Sequence, residues 1–229
     1  MLMSDKGYIF QFLGDLRNNN SKEWMVENKT KFEKAKRIWV EEIEKIQNRL
    51  SKYNPIYNEV PARSTISRIN NNRMFHPEKP IYKDFFSCEP GKKNPMADLF
   101  YISISPGGSF PAGSFMGGGL YQLDKDMLTK VREAIDYNGD VLQGIISEKK
   151  FVDFYGGLND DPNKLKTAPR NYDKEHEYIE LLKYRSFTAT RDLTEKEVCS
   201  TGFVDLVEEA FVTIKPFSDY LKQSLTFEN

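Results

Sequence analysis

The sequence predicts an α+β fold: a single domain over residues 1–229, with a central, mainly antiparallel sheet and long amphipathic N- and C-terminal helices packed against it. Three observations predict it. Apolar residues recur at helical spacing near both ends of the chain. Short alternating or glycine-rich segments cluster in the middle and return once near the end. The composition, 39% hydrophobic and 29% charged with 16 Phe and 12 Tyr, describes a globular chain able to bury a substantial core and argues against disorder. No internal repeat, low-complexity stretch or linker interrupts it.

Tyr8, Phe12 and Leu16, four residues apart, predict a first helix that Asn18-Asn19-Asn20 ends. Ser21 is placed to cap the next helix, in which Phe32, Ala35, Trp39, Ile43, Ile46 and Leu50 share one stripe, with Trp39 read as core. Ser64–Ile69 reads as a strand. Leu99–Ser105 alternates, with Phe100, Ile102 and Ile104 on one face, and Ser114–Leu123 is its glycine-rich partner across Pro106-Gly107-Gly108. Asp124 caps a helix that Asn138-Gly139 stops after Tyr137, and shorter helices follow over Val141–Ser147 and Lys149–Tyr155. Arg185–Arg191 is β-branched and alternating, hence a strand. Thr194 and Glu197 form a capping box, and Phe203, Val207, Ala210, Ile214, Phe217 and Leu221 form a final stripe in which Pro216 invites a kink or a restart.

Several functions are disfavoured. With 33 basic against 34 acidic groups the net charge is −1, so no global field draws the chain to nucleic acid or acidic lipid, and a nucleic-acid contact would need a local patch. No apolar run reaches signal-peptide or membrane-span length, so the expected location is cytoplasmic, with no membrane partner. Cys88 and Cys199 form no CxxC pair and read as reduced packing residues. There is no HExxH, GxSxG or calcium loop, the sequence around His176 is too irregular for a metal site, and the Gly113–Gly118 gap lacks the GK[ST] of a phosphate loop. No metal and no cofactor is expected, and His176 reads as a surface residue.

What remains is a segment that core building does not require. Between Arg68 and Lys83 stand two arginines, two lysines, His76, three consecutive asparagines and two prolines. An arginine fork and mobile lysine charges suit carboxylate or phosphate, Pro77 and Pro80 brace the loop, and His76 or Tyr82 offers proton transfer. The opposing reading is a solvated loop paired with Glu59, Glu78, Asp84 or Glu89. Residues 106–121 hold six of the 14 glycines, which mark either a tight hairpin against a packed helix or a floor beneath a ligand. Arg185 and Arg191 either complete the cleft or serve as edge charges. The expected binding set is therefore Arg68, Arg73, His76, Lys79, Tyr82, Lys83, Gly118, Gly119, Arg185 and Arg191, with no catalytic residue assigned. The first hypothesis is an anionic small-molecule site, enzymatic or not. The alternative is a non-catalytic module for single-stranded nucleic acid or a protein partner, with Phe75, Tyr82, Phe85 and Phe86 as stacking candidates.

In order, Asn18-Asn-Asn-Ser-Lys-Glu-Trp24, Arg68-Ile-Asn…Lys79-Pro-Ile-Tyr82-Lys83, Gly117-Gly-Gly-Leu-Tyr121 and Leu182-Lys-Tyr-Arg185-Ser-Phe…Arg191 resemble a widespread, mainly bacterial family, domain of unknown function 2461, over about residues 8–225. The resemblance implies a single-domain α+β protein and carries over no catalytic residue. The family pattern is richer in arginine and has an acidic group just before Phe75, where this chain has Asn71, Asn72 and Met74.

Overall fold

The computed structural model describes residues 5–74, 76–92, 99–107 and 113–226. Its elements run α1 (Asp5–Asn18), α2 (Lys22–Glu27), α3 (Lys29–Leu50), a 3-10 turn (Pro55–Asn58), α4 (Ala62–Thr65), β1 (Phe86–Cys88), β2 (Phe100–Ile104), β3 (Ser114–Leu120), α5 (Lys125–Ser147), α6 (Lys149–Tyr155), α7 (Ile179–Leu182), β4 (Phe187–Leu193), α8 (Glu195–Cys199) and α9 (Phe203–Thr226). The four strands form one antiparallel sheet in the order β1-β2-β3-β4, with Phe86 opposite Ile104 and Cys88 opposite Ile102. The α+β class read from the sequence is the one observed.

The chain gathers into two compact units. The first comprises Met1–Ala97, Tyr101–Met116 and Asp192–Glu209, the second Asp98–Phe100, Gly117–Arg191 and Ala210–Asn229.

In the first unit α1 turns Ile9, Phe10, Phe12, Leu13 and Leu16 inward, and α3 buries Ala35, Trp39, Ile43, Ile46 and Leu50. Trp39 is fully buried, as its place in the stripe requires. The Phe12 ring lies 5.9 Å from Phe32, 6.4 Å from Phe86 and 6.0 Å from Trp24. Burial of each such large apolar side chain contributes about 2–3 kcal/mol. Lys6 ties α1 to α3 by donating to Glu42 at 2.9 Å, and reaches the Ser200 carbonyl at 2.8 Å.

The second unit buries Val131, Ile135 and Leu142 of α5, then Leu182, Phe187 and Ala189, and Ile214, Phe217 and Leu221 of α9. Phe100 meets Phe211 edge-on at 5.6 Å and Phe151 meets Phe217 at 5.8 Å. The outer side of β4 is occupied by a loop. Asn159 donates its N–H to the Thr188 carbonyl at 2.8 Å and accepts the Thr190 N–H on its side-chain oxygen at 3.1 Å, while one Asp161 oxygen accepts the N–H groups of Arg185 and Ser186 at 2.6 and 3.0 Å.

Several expectations need correction. Ser21 does cap a helix, accepting the Trp24 N–H at 3.1 Å, but that helix is the short α2. Asn28, at φ −103° and ψ 18°, separates it from α3. The expected strand Ser64–Ile69 begins instead as the turn of α4 and leaves only isolated bridges. By contrast, the expected break at Asn138-Gly139 is present: Asn138 is non-helical, at φ −146° and ψ 46°, and a second helical stretch within α5 runs on to Ser147. The Tyr220 hydroxyl holds the Asn138 side-chain oxygen at 3.1 Å, and Gly139 leaves room for the Tyr178 ring, which a Cβ would meet at 2.4 Å. Pro216 neither stops nor restarts α9, which runs through it for 24 residues. The apolar stripe on both sides outweighs the roughly 3 kcal/mol that an interior proline costs. The capping box at Thr194 forms as expected.

Candidate functional site

The segment singled out in the sequence is a two-stranded ribbon within the first unit. Lys83 donates its N–H to the Ile69 carbonyl at 2.7 Å, Asn71 to Ile81 at 3.0 Å, Ser67 to Ser87 at 2.9 Å and Glu89 to Thr65 at 3.3 Å. Asn70 bridges Tyr82, and Ile66 bridges Cys88. From Ile66 to Asn70 is four steps, whereas from Cys88 back to Tyr82 is six, so the second strand carries two extra residues between the bridges. Asp84 lies in that surplus and is gripped by Arg17, whose Nε reaches it at 2.5 Å while Nη2 donates to Ser105 Oγ at 3.0 Å. Asn20 clamps the other side: its Nδ2 donates to the Tyr82 carbonyl and its Oδ1 accepts the Tyr82 N–H, each at 2.9 Å. A carboxamide thus serves as one further rung of the ladder.

The tip of the ribbon is self-contained. Arg73 donates through Nε and Nη2 to the Pro77 carbonyl at 3.2 and 2.6 Å, Asn71 Nδ2 to Pro80 at 2.9 Å, and His76 Nδ1 lies 3.3 Å from Glu78. Arg68, Arg73, His76 and Lys79 are exposed. Side chains alternate faces along paired backbone, which puts Arg68, Asn70 and Tyr82 on one face and Ile69, Asn71, Ile81 and Lys83 on the other. Lys83 is the exception to exposure. It is half-buried with its ammonium 5.7 Å from the centre of the Phe85 ring. Burial first, then the charges of Lys92 and Lys79, lower its pKa from the usual lysine value. The charges of Lys79 and Lys92 thus act on Lys83, and Lys92 lies outside the segment that sequence reasoning singled out. Among the stacking candidates Phe86 is buried, Tyr82 and Phe85 are half-buried, and Phe75 lies outside the described residues.

The remaining candidates belong to the second unit. A Cβ on Gly117 would fall 2.0 Å from the Ala189 carbonyl oxygen, on Gly118 1.8 Å from that of Leu99, and on Gly119 2.0 Å from that of Phe187. Gly119 also has φ +120°, which disfavours any other residue. The chain's own backbone fills the space that these glycines leave. Part of the expected glycine-rich loop, residues 108–112, lies outside the described residues. Arg185 is exposed and acts with burial to lower the pKa of Arg132, whose Nε donates to the Leu182 carbonyl at 2.8 Å. The Arg191 guanidinium lies 5.0 Å over the Phe154 ring. His176 is more than a surface residue. Tyr178 donates its N–H to Nδ1 at 3.0 Å, so Nε2 carries the proton donated to Asp136 at 2.9 Å.

Two open concavities mark the first unit. One, of about 620 Å3, is lined by Lys45, Arg49, Lys52 and Asp205, among others. Its cations are neutralised, since Glu208 accepts from Lys52, from Arg49 at 2.7 Å and from the Tyr53 hydroxyl at 2.7 Å. Hydrogen bonds from Lys52 and Arg49 hold the Glu208 carboxyl down at about 2. The other, of about 520 Å3, lies along the N-terminal half of α3 beside Arg63. Cys88 is fully buried, and its thiol is pushed up by burial, which leaves it inert. Among the described residues no cluster of three or more His, Cys, Asp or Glu is placed to hold a metal, and no helix is long and apolar enough to cross a membrane.

Among known protein families, one described as conserved hypothetical protein (DUF2461) matches residues 8–220. No curated protein and no solved structure matches.

Proposed function

Because the chain belongs to the DUF2461 family of conserved hypothetical proteins, whose description names no reaction, we propose a function from its own residues: binding of an anionic small molecule, bearing phosphate or carboxylate, by Lys79, Lys83 and Lys92. The observation that carries this reading is Lys83, a half-buried ammonium set in the field of two further lysines. Burial weakens the hydration of a charge, and like neighbours raise its energy again. An anion relieves both. The nearest carboxylate in sequence, Asp84, is engaged by Arg17 and so is no ready counter-charge. Clamping of Tyr82 by Asn20 and of Asp84 by Arg17 on either side of Lys83 in sequence supports a preorganised site rather than a loose tail.

The test is a thermal-shift and calorimetric screen of orthophosphate, citrate and nucleoside monophosphates on the full chain. A binding anion raises the melting point of the parent, and Lys83→Gln removes that rise. In the bound form the Lys83 amine titrates closer to its usual value. A rise that Lys83→Gln leaves intact would sink the assignment, as would a screen without any stabilising anion.

A second reading, a non-catalytic module for nucleic acid or protein, draws on Met74, 80% exposed at the tip of the ribbon beside Arg73. An oligonucleotide retarded at low salt by the parent and by Met74→Ser alike removes Met74 from consideration.

A further inference from the structure

We propose a second anion site, independent of the lysine cluster on the ribbon, for a small molecule carrying two or more adjacent phosphate groups. It occupies the concavity of about 520 Å3 whose wall includes Thr30, Glu33, Lys34, Lys36, Arg37 and Arg63. That volume is in the range that holds one small ligand. Its lining sets four cations against one acid, which matches the charge of a di- or triphosphate rather than that of a single phosphate.

The cations are poorly neutralised. Arg37 Nε is 3.8 Å from Glu41, an open i,i+4 pair worth little. Among the described residues no carboxylate stands within ion-pair distance of Lys34, Lys36 or Arg63. Two ammoniums rest on aromatic faces instead, Lys34 at 4.1 Å from the Tyr8 ring centre and Lys36 at 5.7 Å from that of Phe32. Phe32 is itself held in the aromatic cluster with Phe12 and Phe86. A ring face attracts a cation without neutralising it, so these charges are positioned yet still available. Arg63, on α4, adds a planar fork able to grip two oxygens at once. The Thr30 hydroxyl adds a further donor. A short concavity with four cations, in a chain of net charge −1, favours a compact polyphosphate over a nucleic acid, which needs an extended basic track.

Calorimetry on the full chain, with orthophosphate, pyrophosphate, tripolyphosphate and a twenty-nucleotide RNA as probes, tests the proposal. The expected order is tripolyphosphate tighter than pyrophosphate, with orthophosphate weakest. In a Lys83→Gln background, which removes the ribbon site, Arg63→Ala and Lys36→Ala each weaken tripolyphosphate roughly tenfold, from loss of charge-assisted hydrogen bonds. Arg63→Gln replaces Arg63→Ala if the alanine variant melts lower than the parent. Equal affinity of the Lys83→Gln chain for orthophosphate and tripolyphosphate overturns the proposal. So does equal weakening by Lys150→Ala on α6, or tighter binding of the RNA. Tripolyphosphate lost on Lys83→Gln but kept on Arg63→Ala assigns the anion to the ribbon instead.

Discussion

Replacing Gly118 by alanine tests why the middle of β3 is built from glycine. The new Cβ would lie 1.8 Å from the Leu99 carbonyl oxygen and 3.0 Å from its carbon, against a limit near 3.0 Å for real contacts. Both atoms are backbone, so no side chain can swing aside, and one strand has to retreat by more than an ångström. That retreat breaks the neighbouring bond from the Gly119 N–H to the Leu99 carbonyl, now 3.3 Å. Overpacking of this kind costs about 1–3 kcal/mol, and the hydrogen bond about 1 more. A loss of about 2–4 kcal/mol corresponds to a fall in melting point of roughly 5–15 °C for a chain of this size. Gly14 supplies the contrast. It lies inside α1, and a methyl added there would meet nothing within 4 Å, so Gly14→Ala gains about 0.5–1 kcal/mol from helix propensity and raises the midpoint by a few degrees. Urea and thermal melts of both variants read the difference. If Gly118→Ala melts within about 2 °C of the parent, close backbone approach is not what the glycine serves, and the case for a ligand above it revives.

Other outcomes follow from the same geometry. Glu208, with its carboxyl near 2 in the folded chain against an ordinary 4.5, contributes stability that is present in full above about 4.5 and lost as pH falls towards 2; urea midpoints across pH 2–7 should show an acid limb that Glu208→Gln flattens. Asn20→Ala removes both bonds to Tyr82, costing about 1–3 kcal/mol, and should speed hydrogen exchange at the Lys83 and Asn71 amides while leaving α9 protected. Equal exchange in both proteins would mean that Asn20 does not hold the ribbon. Cys88, buried with a raised pKa, should resist iodoacetamide in the native chain and react only in denaturant, as peptide mapping would reveal.

The long helices α1, α3 and α9 were readable because each buries one continuous stripe, and a stripe is a local pattern, whereas α2 buries no residue and went unread. The break at Asn138 was readable from its Asn-Gly pair, but what holds it was not. At Asn138 the departure from helix is held by Tyr220, 82 residues away, and no window around Asn138 contains that partner. β1 went unseen because Phe86-Ser87-Cys88 is buried at all three positions and so shows no alternation. The expected strand at Ser64 failed on turn chemistry: the Ser64 N–H bonds back to the Pro61 carbonyl at 2.8 Å and closes a helical turn. At the candidate site the density of charge between Arg68 and Lys83 was plain, but its pairing was not. Arg73 turns to its own loop, while Arg17 and Asn20, more than sixty residues upstream of their partners, set the ribbon's shape. Lys92 lay beyond the segment that drew attention, and only folding brings its charge to bear on Lys83.

The Asn159–Asp161 loop has a consequence for how this protein meets others. β4 ends the sheet on one side, and its outward groups at Arg185, Ser186, Thr188 and Thr190 are already bonded to that loop. On the other side β1 is taken by Ile66 and Ser67 of the ribbon. At these points the borders of the sheet are occupied by the chain's own groups and are therefore closed there to a partner's extended peptide.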